Sequence, residues 1–284
     1  SRYGNRFALI VYDEVHHLPA EQNLIAASCS MAPFRLGLTA TLERQDGREA
    51  LLLKTLGPEV YRKEIHDLSG DFLAEYDVTR LFVDLLPSES AAYAQARETY
   101  LNFLRQKRIS VSGPNGWRRF IRAASRSKMG REAMAAHARS KRIIQSSEAK
   151  INILEEIIAV ERNRRVIVFT SDNFTAYRIS AQFLAPCITH QTDLKERGQI
   201  LKDFTSGLLP LLITSRVLNE GVDLPAAEVA VVLSGSGTVR EHVQRLGRIL
   251  RPQEGKKALM YEVVASDTSE ESTSARRRRH DAYQ

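Results

Sequence analysis

Short apolar runs that alternate with amphipathic stretches constrain this chain more than any other feature. Val166 to Thr170, Leu208 to Thr214, Val229 to Leu233 and Ala258 to Val264 are each brief and nearly continuous in aliphatic residues. Between them lie segments of helical spacing. One carries Ile151, Leu154 and Ile158, and another runs from Asn173 to Leu184. A third opens at Asp193, with Glu196 three residues on as a capping pair and Leu194, Ile200, Leu201 and Phe204 on its core side. A strand that is apolar at every position must be covered on both faces. Strand–helix alternation achieves this by laying helices over both sides of a parallel sheet. The series predicts a complete α/β domain over residues 148–265.

Residues 1–80 read as a truncated unit of the same class. It holds a strand Phe7 to Tyr12, a helix Glu21 to Cys29, a strand Phe34 to Leu38 ending in Thr39-Ala40-Thr41, and a helix Gly47 to Leu56 stopped by Gly57-Pro58. So few strands leave an edge and a face open, so this part is expected to be fragile alone. The span 87–147 within residues 81–147 reads as helical, opening after Pro87-Ser88 and broken at Gly113-Pro114-Asn115-Gly116. Beyond the break Trp117, Phe120, Ile121 and Ala124 form one apolar stripe, with arginines on the other faces. Residues 266–284, Ser/Thr/Glu-rich and then Arg-rich without apolar period, read as a flexible basic tail.

Composition narrows the function classes. The 284 residues suffice for two domains, and with 43% apolar and 26% charged residues no stretch approaches a membrane span. A cytoplasmic protein is expected, nucleoid-associated if prokaryotic. Ser1 to Asn5 carry no signal-like segment and no initiator methionine, which reads as an internal cut or a processed start. Cys29 and Cys187 have neither a second thiol nor a histidine at ligand spacing, so two buried free thiols are expected rather than zinc or a disulfide.

The formal charge of +7 is concentrated. Between Gly113 and Arg142 stand Arg118, Arg119, Arg122, Arg126, Lys128, Arg131, Arg139, Lys141 and Arg142 against the single acid Glu132, a local +8. Arg276 to Arg279 add a second cluster of +4. Charge gathered in this way suits a polyanionic partner, with a surface helix of chance arginines as the alternative. Trp117 and Phe120 are placed to stack on bases or, as their helical spacing suggests, to pack in the core.

Two constellations carry chemistry. Asp13-Glu14-Val15-His16-His17 follows the first apolar run directly. An acidic pair at the end of a buried strand suits the magnesium side of a phosphoryl-transfer site: one carboxylate holds the metal through its waters and the next orients or deprotonates the attacking water. The usual cradle for the phosphates, a Gly-x-x-x-x-Gly-Lys-Ser/Thr loop, is absent from the sequence. The twelve residues ahead of Asp13 leave no room for it, so it is expected from elsewhere.

The second constellation follows Ser234-Gly235-Ser236-Gly237. Thr238 with Glu241 forms a capping pair, Pro252 ends the helix, and Val239, Val243, Leu246 and Leu250 give its buried side. Gln244, Arg248 and Arg251 share a stripe about 100° away. Such a stripe is either a solvated face or a pair of guanidiniums aimed at the γ-phosphate of a nucleotide held by another domain.

Taken together these residues resemble superfamily 2 helicases. Asp13-Glu14-Val15-His16 is similar to motif II, Thr39-Ala40-Thr41 to motif III and Val168-Phe169-Thr170 to motif IV. Ser215 to Asp223 is similar to motif V, and Gln244 to Arg251 to motif VI. Within that superfamily, Pro33-Phe34-Arg35-Leu36-Gly37-Leu38, the Ser234 to Gly237 turn and Arg248-Ile249-Leu250-Arg251-Pro252 resemble the XPB family.

The resemblance implies a three-prime to five-prime DNA helicase or translocase in repair or transcription-linked opening, made of two RecA-like units with ATP and Mg²⁺ between them. It implies that Asp13 holds the metal, Glu14 is the catalytic base and His16 couples to motif VI. Gly221 and Asp223 approach the nucleotide, and Gln244, Arg248 and Arg251 face its phosphates. Thr39 and Thr41 link hydrolysis to movement, Thr170 and Thr214 lie near the DNA backbone, and the basic span is a thumb-like insertion gripping DNA through Arg118, Arg119 and Arg122.

Arg44-Gln45-Asp46 stands where the family has Arg-Glu-Asp, which leaves Arg44 and Asp46 of a strand-separating motif that contacts DNA. Motifs I and Ia are absent. The partners implied are DNA, a separate helicase half bearing the phosphate loop, and a nuclease or repair complex. A non-enzymatic remnant that binds DNA or a partner, and the motor piece of a restriction or remodelling translocase, are the alternatives.

Overall fold

The computed structural model describes residues 6–39, 48–62, 76–113, 115–215, 227–234 and 258–277. The chain forms two compact units, Ser1–Lys63 and Glu64–Gln284.

In the first unit β1 (Leu9–Tyr12) pairs in parallel with β2 (Phe34–Gly37), Leu9 opposite Phe34 and Val11 opposite Leu36. A 3-10 turn at Val15–His17 leads to α1 (Glu21–Ser28), and α2 (Glu49–Leu56) follows β2. One face of the pair is covered by a small core of Val15, Leu18, Ala27 and Leu52. The other leaves Leu9, Val11, Phe34 and Leu36 exposed.

Among its described residues the second unit holds an all-parallel six-stranded sheet of order β3-β8-β7-β4-β6-β5. Its strands are β3 (Tyr76–Val83), β4 (Val166–Phe169), β5 (Cys187–Ile188), β6 (Leu211–Thr214), β7 (Val229–Val232) and β8 (Ala258–Ala265). Side chains alternate across a strand, so Ile167 and Phe169 enter one core with Leu212, Val232 and Phe204, while Val166 and Val168 enter another with Ile213, Val231 and Leu154. Among the described residues the helices of this unit are α3 (Pro87–Gln106), α4 (Gly116–Ala124), α5 (Lys128–Gln145), α6 (Glu148–Val160), α7 (Asn173–Phe183), α8 (Leu194–Thr205) and α9 (Ser269–Arg277). Asp172 caps α7 by accepting from Thr175 N at 2.9 Å, and Asp193 caps α8 by accepting from Lys195 N at 2.8 Å. Among the described residues no helix is long and apolar enough to cross a membrane.

Several expectations are corrected. The boundary expected near residue 80 falls at 63/64, because β3 pairs along its whole length with β8 and so belongs to the second sheet. Residues 266–277 are not a loose tail: they carry α9, with Glu270 and Ser274 buried. Cys29 is exposed and Cys187 only half-buried. Leu194 and Leu208 face solvent, because α8 turns its buried side only at Ile200, Leu201 and Phe204 and β6 starts at Leu211.

Candidate functional site

The acidic box lies where β1 ends. Asp13 is exposed, and its Oδ1 accepts from Glu14 N at 2.9 Å. Glu14 takes left-handed backbone angles, φ 47° and ψ 47°, which non-glycine residues rarely adopt and which here turn the chain into the Val15–His17 turn. His16 is fully buried. Its Nδ1 lies 2.9 Å from Thr39 Oγ1, just beyond β2, and 3.3 Å from Glu14 Oε2. Two backbone bonds fix this corner: Leu38 N donates to Tyr12 O at 2.8 Å, and Val15 N to Leu38 O at 2.9 Å. The sequence elements similar to motifs II and III therefore meet through side chains at one end of the sheet.

The donor set bears on a divalent cation. Among the described residues no three His, Cys, Asp or Glu side chains are grouped to hold a metal by themselves. One exposed carboxylate fits a magnesium ion that keeps most of its waters and takes further oxygens from a phosphate, and it does not fit an all-protein cage. Thr41, Arg44, Asp46, Gly221, Asp223, Gln244, Arg248 and Arg251 lie outside the described residues.

In the second unit Thr170 and Thr214 sit side by side at the carboxyl ends of β4 and β6, the end where parallel α/β sheets bind ligands. Both are fully buried. Thr170 Oγ1 donates to Asp172 O at 3.0 Å and Thr214 Oγ1 to Ser215 O at 2.9 Å. Their hydroxyls thus brace the strand ends. At this end half-buried Asn173 and exposed His190 bring Nδ2 and Nδ1 to 3.0 Å. Locally Asn173 reads only as a helix start, and His190 lies in neither a charge cluster nor an apolar run.

The basic span forms a projection of α3, α4 and α5 around its own small core. Tyr100, Phe103, Phe120, Ala124 and Ala133 are buried there. Tyr100 and Phe120 meet edge to face at 5.3 Å. Two glycines allow close backbone approach: a Cβ at Gly116 would lie 2.4 Å from the Val111 backbone in the loop before α4, and one at Gly130 2.4 Å from the Ala124 carbonyl oxygen. His137 packs between Tyr100 and Trp117, with ring centroids at 4.6 and 5.1 Å. Burial first, then the charges of Lys141 and Arg97, pushes its pKa down to about 4.

The apolar stripe of α4 is only half interior. Phe120 and Ala124 are enclosed, whereas Trp117 is 45% and Ile121 43% exposed. All nine cationic residues from Arg118 to Arg142 are exposed. Arg139 and Arg142 line an open groove of about 720 Å³ with Glu89 and Ala92 of α3.

Comparison with known proteins places this geometry. Residues 127–284 match the ERCC3/RAD25/XPB C-terminal helicase family, and residues 1–44 match the type III restriction enzyme res subunit. The chain is 42% identical over 275 residues to a protein of Sulfurisphaera tokodaii named DNA 3'-5' translocase XPB2, covering 97% of this chain and 62% of that protein. It is 31% identical to a DNA 3'-5' helicase XPB of Kineococcus radiotolerans, covering 98% of this chain and 43% of that protein. It therefore spans less than two thirds of the length of these relatives.

Among solved structures, the Hef helicase domain of Pyrococcus furiosus superposes with a TM-score of 0.58 at 18% identity, over 96% of this chain and 74% of that one. Dbp5 of S. cerevisiae bound to RNA and ADP BeF3 superposes with 0.60 at 14% identity, over 99% and 59%. These two likenesses speak for the fold alone. With more than half of its length inside the family match, the chain belongs to the ERCC3/RAD25/XPB C-terminal helicase family.

Proposed function

We propose that this chain carries the carboxylate side, the second motor unit and the DNA-gripping projection of an ATP-driven 3'-5' DNA helicase or translocase acting in repair or transcription-linked opening. The observation that carries the reading is the corner at the end of β1, where buried His16 reaches both Glu14 and Thr39. A buried imidazole spanning two loops is suited to reporting the state of one to the other.

Asp13 would hold Mg²⁺ through its free carboxylate oxygen and intervening waters. When bound, the ion supplies charge neutralisation at the phosphate oxygens. Glu14 orients the attacking water or takes its proton, and His16, with Nδ1 3.3 Å from Glu14 Oε2, keeps Glu14 aimed by packing beside it. In the second unit Gly221 and Asp223 approach the nucleotide, while Gln244, Arg248 and Arg251 offset charge on its phosphates. Thr41 acts with Thr39 in coupling, and Arg44 and Asp46 contact DNA. The exposed apolar face of Leu9, Val11, Phe34 and Leu36 suits burial by the remaining strands of a RecA-like unit bearing the phosphate loop.

DNA-stimulated ATP hydrolysis tests this. Residues 1–284 alone are expected to be silent, and addition of a phosphate-loop-bearing first-domain segment is expected to give turnover that Glu14→Gln abolishes. Turnover by the chain alone, or turnover indifferent to Glu14→Gln, would sink the proposal.

A further inference from the structure

Away from these sites the second unit buries a complete ion pair. Lys150 of α6 is 1% exposed and Glu270 of α9 is 7% exposed. Lys150 Nζ donates to Glu270 Oε2 at 2.5 Å and to the Leu233 backbone carbonyl at 2.6 Å. The same Glu270 oxygen accepts from Ala265 N at 2.9 Å, at the end of β8.

Leu233 follows the last residue of β7, and in sequence it precedes Ser234-Gly235-Ser236-Gly237 and the segment that carries Gln244, Arg248 and Arg251. The exit is held from its other side as well. Leu233 N donates to Phe169 O at 3.1 Å, and Ser234 Oγ donates to Ser171 Oγ at 3.1 Å. Lys150 therefore holds Leu233 by its carbonyl, while β4 and the loop after it hold Leu233 by its amide and Ser234 by its hydroxyl.

α9 also reaches the projection. Ser269 N donates to the Tyr93 hydroxyl at 2.8 Å, and Tyr93 packs with Ile144 and Ala265. Glu89, on the first turn of α3, accepts from Glu148 N at 2.6 Å, which ties the root of the projection to the start of α6.

Burying an ammonium and a carboxylate is costly, and an apolar pair of similar volume often stabilises a fold as well or better. The ion pair adds something an apolar pair lacks, a directed donor on one backbone carbonyl. We propose that Lys150 and Glu270 are positioning residues for the segment after β7. They fix where the chain leaves the sheet, and through α9 they tie that exit to the root of the basic projection. The proposal rests on the reading of Arg248 and Arg251 as phosphate-facing groups.

Peptide-resolved amide hydrogen exchange and thermal melting of the intact chain test it. Lys150→Met strands a buried carboxylate and is expected to lower Tm, whereas Lys150→Met with Glu270→Met restores Tm by apolar packing. In that double variant exchange over residues 233–251 is expected to be at least about 10-fold faster than in the parent, since one charge-assisted hydrogen bond is gone, with β4 and β6 unchanged. Exchange that returns to the parental rate together with Tm makes the pair a packing element and overturns the proposal.

Should the double variant stay unstable, Lys150→Gln, which keeps a donor for the Leu233 carbonyl, is compared with Lys150→Met. Slower exchange in the glutamine form supports the anchor, and equal exchange overturns it. If the exchange result holds but ATP turnover in the supplemented protein is indifferent to Arg251→Ala, the anchor stands and the phosphate-facing reading fails.

Discussion

The two parallel sheets are built from similar apolar runs and end in opposite states. In β4 every residue from Val166 to Phe169 is at most 2% exposed, while in β1 and β2 Leu9 is 54%, Val11 50% and Phe34 67% exposed. The difference lies in what covers them. β4 has a strand on each side and helices over both faces, so each side chain finds a core. Among the described residues β1 and β2 have only each other and one small cluster. Apolar patterning thus states a demand for cover that only the second unit meets within the described residues. The acidic box stands on the sheet that is covered on one face only.

The largest test of that contrast is truncation of an aromatic in each sheet. Phe169→Ala is expected to cost about 3–5 kcal/mol in chemical denaturation of the intact chain, and Phe34→Ala less than about 1 kcal/mol. Equal losses would mean that the β1–β2 face is covered after all and would break the comparison.

Next in size is the electrostatic contrast. Reversing Arg118, Arg119 and Arg122 to glutamate is expected to weaken duplex binding by the chain and to lower the slope of log affinity against log salt by about 3. An unchanged slope in a binding titration would remove the projection from the DNA contact.

The smallest effect concerns the projection's own core. His137 has a folded pKa of about 4, below the usual value, because burial disfavours its charged form. The unfolded chain therefore binds the extra proton first as pH falls. The stability contributed by neutral His137 is full above about pH 6.5 and is lost progressively towards pH 4. Trp117, the single tryptophan, lies 5.1 Å from His137 and reports on this packing by fluorescence. Denaturation followed at Trp117 should weaken across that window in the parent and less so in His137→Leu. Matching pH profiles would show that another group governs the projection.

Legibility follows the range of the interactions involved. Strand runs, the break at Gly113 to Gly116 and the helices from Asn173 and Asp193 announce themselves, because apolar period, caps and glycine act within a few residues. The acidic box was legible for the same reason. Its link to Thr39 was not visible as chemistry, since the contact between His16 and Thr39 spans 23 residues and needs β1 and β2 in register. Thr170 and Thr214 were legible as motif members, but their burial follows from the strands that flank them.

The sequence by itself determined the class of fold, the order of the motifs and the place where positive charge accumulates, all of which are set by local composition and period. The tertiary structure alone decided that Tyr76–Val83 joins the second sheet beside β8, and that a Ser- and Glu-rich segment becomes a helix with a buried carboxylate. Strand pairing across some 180 residues and an ion pair across 120 residues depend on partners that no local window contains. Glu270 looks like a solvated acid until Lys150 is folded against it.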